Sequence, residues 1–300
     1  MLDLYMQNLV IIITYNAMQW IERCLSSVRQ SEERTDIFVV DNGSSDGCQQ
    51  YIRENYPDII LRQSETNLGF GCANNIGLEY AIEHGYDYVY LLNQDAWIFP
   101  DTLSHLIEAH QKYSQYGILS PMQMSGEMND FDKGFRNRTF KSVTVLAEDL
   151  YFGRPQDVYT VEWVMAAHWL ISIDCLRKVG GFSPTFQQYG EDDNYIDRVH
   201  CHGFMVGIVP AAKAVHDRKY REQTRAQFLF HHFYKYYLVL FSQPRKIRLT
   251  EWIKMIYSNI LSALNIKSIT IIKYTIQLLM KSNQIRKNRF RSMQRGAFIS

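Results

Sequence analysis

Leu9-Val10-Ile11-Ile12-Ile13 is apolar without a break and rich in β-branched residues. Such a run reads as a strand covered on both faces, since a strand with one wet face would alternate. The residues after it repeat the logic. Asn16 precedes a helical stripe of Trp20, Ile21, Cys24, Leu25 and Val28, and Ile37-Phe38-Val39-Val40 is a second strand. A helix through Tyr51 and Ile52 leads to a short strand at Ile59-Ile60-Leu61, and Ala73, Ile76, Gly77, Tyr80 and Ala81 mark a further helix. Tyr88-Val89-Tyr90-Leu91-Leu92 is the next strand, and Pro100-Asp101 starts a helix through Leu103, Leu106 and Ile107. Buried strands alternating with amphipathic helices predict an α/β fold, a Rossmann-like and mostly parallel sheet flanked by helices.

Past Gly117 the periodicity loosens. Met122 to Thr139 is polar and reads as a long loop, Val161 to Ile173 as buried or strand-like, and Asp174 opens a short helix ending at Gly180-Gly181. Glu191 to Cys201 predicts a helix, and Phe204 to Val209 a strand ended by Pro210. The remainder is helical, with one stripe through Ile253, Ile256, Tyr257, Ile260, Leu261 and Leu264 and a second through Ile269, Ile272, Ile276 and Leu279. Lys254, Lys267, Lys273 and Lys281 keep every uncharged run below the roughly 18 residues a membrane span requires.

Charge divides the chain at the same place. Residues 217–300 hold 17 Lys/Arg against 3 Asp/Glu, whereas residues 1–216 hold 15 against 28, although the whole chain nets only +1. The expected organisation is a body at 1–217 and a basic amphipathic tail at 218–300. Five cysteines, odd in number and without a CxxC pair, point to reduced thiols in a cytoplasmic setting rather than disulfides or a zinc site. Met1 to Gln7 carries no secretion signal.

Four strand ends carry polar clusters: Thr14-Tyr15-Asn16, Asp41-Asn42-Gly43, the loop and helix start containing Asn67, Gly69, Asn74 and Asn75, and Asn93-Gln94-Asp95. In an open α/β sheet such ends converge on one crevice. A carboxylate such as Asp41 can accept from a base N–H or a ribose hydroxyl, and the amides both donate and accept. Singly, Asp41 and Asn16 read equally well as helix caps; four clusters in register favour a nucleotide site. Gly69-Phe70-Gly71 is no dinucleotide fingerprint, because Asn74 stands where the third glycine belongs.

The stretches "ITYNAMQWIERCLSSV", "VVDNGSSDG", "NLGFGCANNIGL", "LLNQDAWI", "VGGFSPTFQQYGEDDNYIDR" and "VPAAKAVHD" resemble, in the same order, the motifs of inverting family 2 glycosyltransferases of GT-A fold, in particular the rhamnosyltransferase-like branch. The resemblance covers about residues 8–217 and implies a nucleotide-binding part at 8–116 and an acceptor part at 117–217. It implies that Asp95 and His216 hold a divalent metal, Mn²⁺ or Mg²⁺, on the diphosphate of a nucleoside-diphosphate-sugar, and that Asp41 contacts the nucleoside. Asn93 departs from the family's Asp-x-Asp pattern and leaves fewer anionic ligands. The resemblance further makes Asp192 the base that deprotonates the acceptor hydroxyl and gives Glu191 an orienting role. Apart from it, Glu191-Asp192-Asp193 reads equally as acids favoured at a helix N-terminus. Gly180-Gly181-Phe182 is expected beneath the donor sugar. Trp163 and Trp169 are read either as acceptor-stacking or as core.

The tail's stripes with interspersed Lys and Arg suit an interfacial helix pair on anionic lipid, or a face for the body or a second copy of the chain. His231 to Tyr237 is expected at a membrane or an oligomer interface, and Arg218, Lys219, Arg221 and Arg225 over the diphosphate. No motif supports nucleic acid as a partner. The expected activity is sugar transfer to an oligosaccharide or lipid-linked saccharide in surface polysaccharide assembly, at the inner face of the cell membrane. Two other classes stand beside it. A sugar-phosphate nucleotidyltransferase would carry a Gly-rich basic loop after the first strand, where "TYNAMQW" lies; a non-catalytic nucleotide-sugar-binding scaffold would not hydrolyse donor.

Overall fold

The computed structural model of the chain describes residues 6–218 and 223–299. Met1 to Tyr5 of the segment read for a secretion signal, and Lys219 and Arg221, lie outside the described residues. The alternation of the first half forms as the pattern predicts: β1 (Asn8–Thr14), α1 (Ile21–Arg29), β2 (Thr35–Asp41), α2 (Cys48–Asn55), β3 (Ile60–Gln63), α3 (Phe70–Glu83) and β4 (Tyr88–Asn93). β1 lies parallel between β2 and β4, and β3 parallel to β2. Leu9 and Ile11 enter the core on one face of the sheet, Val10 and Ile12 the core on the other, which is why no polar residue interrupts the run.

Beyond β4 the chain forms β5 (Ala96–Ile98), α4 (Thr102–Lys112), β6 (Tyr116–Ser125), α5 (Thr144–Tyr151), β7 (Tyr159–Thr160), β8 (His168–Ser172), α6 (Ile173–Val179), α7 (Glu191–Cys201) and β9 (Met205–His216). Among the described residues one sheet runs in the order β3-β2-β1-β4-β8-β6-β9-β5, with β7 on β9. β8 is antiparallel to β4 and β6, so the sheet is parallel at its β3–β4 end and mixed beyond.

Two expectations fail here for local reasons. Met122 to Ser125 belongs to β6 rather than to a loop, and helical turns follow at Phe135–Ser142. The polarity that hid the strand is internal, because Gln123 is buried and donates to Ser120 Oγ at 3.0 Å. Nor does the last strand stop at Pro210. The β6–β9 register jumps from Pro121–Val209 to Met122–Lys213, and Pro210 falls in that irregularity, where its missing N–H costs the ladder nothing.

The tail comprises α8 (Arg225–Phe230), a π-helical turn (His231–Lys235), α9 (Tyr236–Ser242), α10 (Leu249–Asn265), α11 (Ile269–Met280) and α12 (Ser282–Ser292). No helix among the described residues is long and apolar enough to cross a membrane. Phe241, Met255, Leu278 and Ile285 form its core together with Phe186 of the body. The stripes read from the sequence are not this core: α10 buries Met255, Asn259 and Ala263 and leaves Ile253, Tyr257, Ile260, Leu261 and Leu264 exposed. Asn259 Nδ2 donates to Thr275 Oγ1 at 2.9 Å, an inter-helix bond that apolar periodicity does not reveal.

After α12 the chain returns to the body. Gly296 N donates to Lys178 O at 3.0 Å, and Gly181 N to Ala297 O at 2.8 Å. Gly180 has φ +82°, and a Cβ there would stand 2.0 Å from Ala297 O. The paired glycines therefore admit the backbone of the chain's own residues 296–297 rather than shaping a floor for a donor sugar. Buried Arg198 completes the joint, donating to the carbonyls of Val179, Gly181 and Ser292. Trp169 is core: fully buried, it stacks on Phe182 and donates to Val164 O at 3.2 Å.

Candidate active site

A cavity of about 730 Å³ opens at the carboxyl ends of β1, β2 and β4. Of the residues singled out in the sequence, it is lined by Tyr15, Asn42, Asn67, Gly69, Asn93 and Asp95. Convergence there follows from three adjacent parallel strands ending on the same side.

The loops are held by other members of the set, through bonds within the fold. Asp41 is fully buried and accepts from Thr14 Oγ1 at 3.0 Å, Ser44 N at 3.1 Å and Gln49 Nε2 at 2.7 Å. Burial opposes its ionisation, but the Ser44, Gln49 and Thr14 bonds outweigh it and hold the carboxyl below its ordinary value. Asn16, at φ +53°, accepts from Ser45 N, and Gly43 takes φ +84° beside Thr66. Asn74 donates to Phe70 O. Asn75 accepts from Phe182 N at 2.6 Å and donates to Phe182 O at 2.9 Å, so both ends of its amide are taken. Thr14, Asp41, Asn74 and Asn75, expected at the ligand, are thus spent on the fold, and Asn42 is what the second strand presents to the cavity. Asn42 is itself tied to the next loop, donating to Asn67 Oδ1 at 3.0 Å and accepting from Leu68 N at 2.7 Å.

Asp95 and His216 come together through register: Ala96 pairs with His216 across β5 and β9, so the residue before Ala96 sits beside the last residue of β9. His216 Nε2 stands 3.5 Å from both Asp95 Oδ1 and Asn93 Nδ2. Its Nδ1 is buried without a hydrogen-bond partner among the described residues, with Asp132 Oδ2 at 3.7 Å. Asp132, within the stretch read as a loop, also meets Arg218 at 3.4 Å. Burial works against Asp95, yet His216, and more weakly Arg218, hold its carboxyl below the usual value. His168 behind His216 is pushed down to about 3, by burial first and by His216 second, and stays neutral.

This pair fits a divalent cation. The gap is too long for a good hydrogen bond, and with metal–ligand bonds of about 2.1 Å donors 3.5 Å apart can reach one ion. No group of three His, Cys, Asp or Glu among the described residues could hold a metal unaided, so water and ligand oxygens would fill the shell.

Glu191 and Asp192 stand in the first turn of α7, directly after a segment whose Gln187 and Gln188 line the cavity; neither carboxylate is itself in the lining. Burial, then the charge of Asp192, pushes Glu191 up to about 7. Burial and Asp193 raise Asp192 as well. Asp193 is paired with Arg138 and, at 2.9 Å, with Lys235.

Sequence reading missed half of the wall. Gln94, named within its cluster but given no role of its own, lines the cavity and accepts from Tyr15 N at 2.6 Å. Thr185, Gln187 and Gln188 come from "FSPTFQQYG", inside a stretch quoted for the resemblance, but none of the three was given a role there. Phe230, Tyr234, Leu238 and Lys281 come from the tail, with Lys281 Nζ donating to Tyr234 Oη at 3.0 Å. The His231–Tyr237 stretch, expected at a membrane or an oligomer interface, thus lines the cavity through Tyr234.

Residues 9–165 match the family model described as glycosyl transferase family 2. The chain is 26% identical over 234 residues to an N-acetylglucosaminyl-diphospho-decaprenol L-rhamnosyltransferase of Mycobacterium tuberculosis, covering 70% of this chain and 75% of that one. Its fold is similar to that of the mannosyltransferase PcManGT from Pyrobaculum calidifontis, solved with GDP-Man and Mn²⁺ (TM-score 0.56, 18% identity, 92% of this chain and 75% of that one). It is also similar to S. aureus TarS 1-349, solved with UDP (TM-score 0.54, 16% identity, 70% of this chain), of which it spans 60%.

Proposed function

The chain belongs to glycosyl transferase family 2, and on that premise we propose that it transfers a sugar, with inversion, from a nucleoside-diphosphate donor to a hydroxyl of a saccharide or lipid-linked acceptor in surface polysaccharide assembly. The observation that carries this reading is the cavity at the strand ends, with Asp95 on its wall and His216 3.5 Å behind. Tyr15, Asn42, Asn67, Gly69 and Asn93 hold the nucleoside and diphosphate, while Thr14, Asn16, Asp41, Gly43, Asn74 and Asn75 fix the loops that carry them. A divalent cation on Asp95 and His216 would supply positive charge to the leaving diphosphate.

Asp192 takes the proton of the acceptor hydroxyl. The new bond forms between that oxygen and the anomeric carbon as the bond from this carbon to the diphosphate breaks, and the diphosphate leaves with the electron pair. A carboxylate raised above its ordinary value is a stronger base near neutral pH, and the burial that raises Asp192 serves that role. Glu191, partly protonated near neutrality, can donate to the acceptor and orient it. The basic tail holds the enzyme on the inner membrane face, where a lipid-linked acceptor would lie.

The test is a panel of nucleoside-diphosphate sugars scored by thermal stabilisation with and without Mn²⁺, the hits then being assayed for transfer. One donor should raise the melting temperature in a Mn²⁺-dependent way. A panel in which no donor binds would refute the reading, and a donor bound but never transferred or hydrolysed would favour a non-catalytic binding protein.

A further inference from the structure

Between α10 and α12 lies a groove of about 790 Å³ that shares no lining residue with the donor cavity. The two stand back to back at the joint of α11 and α12, Lys281 facing the cavity and Ser282 the groove. Trp252, Ile253, Ile256, Leu279 and Phe290 make its surface largely apolar. Four cations, Arg245, Lys246, Arg286 and Arg289, line it, and no acid does.

Arg289 is the telling residue. It is only 8% exposed, Nη1 donates to Phe241 O at 3.1 Å, and Nε has no hydrogen-bond partner among the described residues. A guanidinium buried without an anion is costly, and Glu251, the acid nearby, is held by Arg245 at 2.8 Å. The helices around the groove also turn their apolar stripe outward: Leu249 is 74% exposed, Leu264 69% and Met280 80%. Large apolar side chains left this exposed on neighbouring helices mark an interaction face.

We infer that the α10–α12 groove is a binding site for an anionic phospholipid of the membrane surface, its phosphate on Arg289 and Arg286 and an acyl chain along Trp252, Ile256 and Phe290. Basic rim and apolar floor are complementary to that one molecule in both parts, whereas a second copy of this strongly basic tail would bring more positive charge to the rim. The inference rests on the reading of the tail as membrane-facing and adds a discrete site to it.

The test is vesicle flotation of the full chain, with phosphatidylcholine alone and with phosphatidylcholine doped with phosphatidylglycerol. The wild type should float only with the doped vesicles. Arg286→Gln should weaken this well beyond the roughly fivefold that one cation at an anionic surface is worth, and Ile253→Asp further still. Lys267→Gln, in the α10–α11 turn outside the groove, should cost no more than about that fivefold. Transfer to a water-soluble acceptor should be unaffected by all three. Flotation with neither vesicle would overturn the membrane reading and the site together. Flotation unchanged in Arg286→Gln and Ile253→Asp, or equally reduced by Lys267→Gln, would overturn the site alone. Equal binding to both vesicles would remove the phosphate, and a groove variant that only turns a dimer into a monomer would hand the groove to a second copy.

Discussion

Gly69→Ala tests how the cavity is assembled. Gly69 has φ +81° and ψ 165°, a region closed to residues with a Cβ, and occupying it costs about 1–3 kcal/mol. A Cβ there would also lie 2.1 Å from Gln187 O, and driving two packed loops apart adds a further ~1–3 kcal/mol. Gly85→Ala is the control: φ is +74° but nothing lies within 4 Å, leaving only the left-handed penalty of about 1–2 kcal/mol. At roughly 2 °C per kcal/mol for a chain of this length, Gly69→Ala should melt ~4–12 °C below the wild type and Gly85→Ala ~2–4 °C below. Because Gly69 and Gln187 line the same cavity, the donor KM should rise at least about tenfold in Gly69→Ala alone, as a displaced positioning wall demands. Calorimetry and initial rates against donor concentration measure both. Equal melting points for the two variants, with an unchanged donor KM, would show that the two loops do not build the site.

Asp192→Asn should lower transfer by about 10²–10⁴-fold while leaving donor affinity within threefold, the signature of a lost proton acceptor; single-turnover rates beside titration calorimetry separate the two. Asp95→Asn should abolish the Mn²⁺ dependence of donor binding, measured by calorimetry with and without chelator, since under the proposed function the carboxylate 3.5 Å from His216 would be the charged ligand. Glu191 sits at about 7 in the folded chain against 4.5 unfolded. The folded state therefore binds the extra proton between those values, and its contribution to stability is full at the low end and lost as pH rises through about 7. Glu191→Gln should flatten that part of the curve of melting temperature against pH, and an unaltered slope would contradict the assignment.

The parallel half of the fold was legible because its signal is local: five apolar residues in a row can be satisfied only by cover on both faces. The convergence of strand ends followed from the same rule and set Asn42, Asn67 and Asp95 around one cavity. What escaped reading depends on partners distant in the chain. Gln123 looks like a loop residue until Ser120 satisfies it, and Gly180-Gly181 looks like a ligand floor until Ala297 arrives over it. Tyr234, Leu238 and Lys281 reach the cavity only through the way the tail folds back. In the tail, hydrophobic periodicity identified the helices but not the face they bury against each other, because Asn259 and Thr275 bond across α10 and α11.

The cleft with Asp95 on one side and Lys281 on the other is walled by pieces of chain nearly two hundred positions apart. A molecule lodged in it acts as a rivet through both layers, so occupancy opposes fraying of the terminal helices. Loaded, the tail's amides should surrender their protons to solvent slowly; emptied, the same helices become the easiest part of the molecule to prise away.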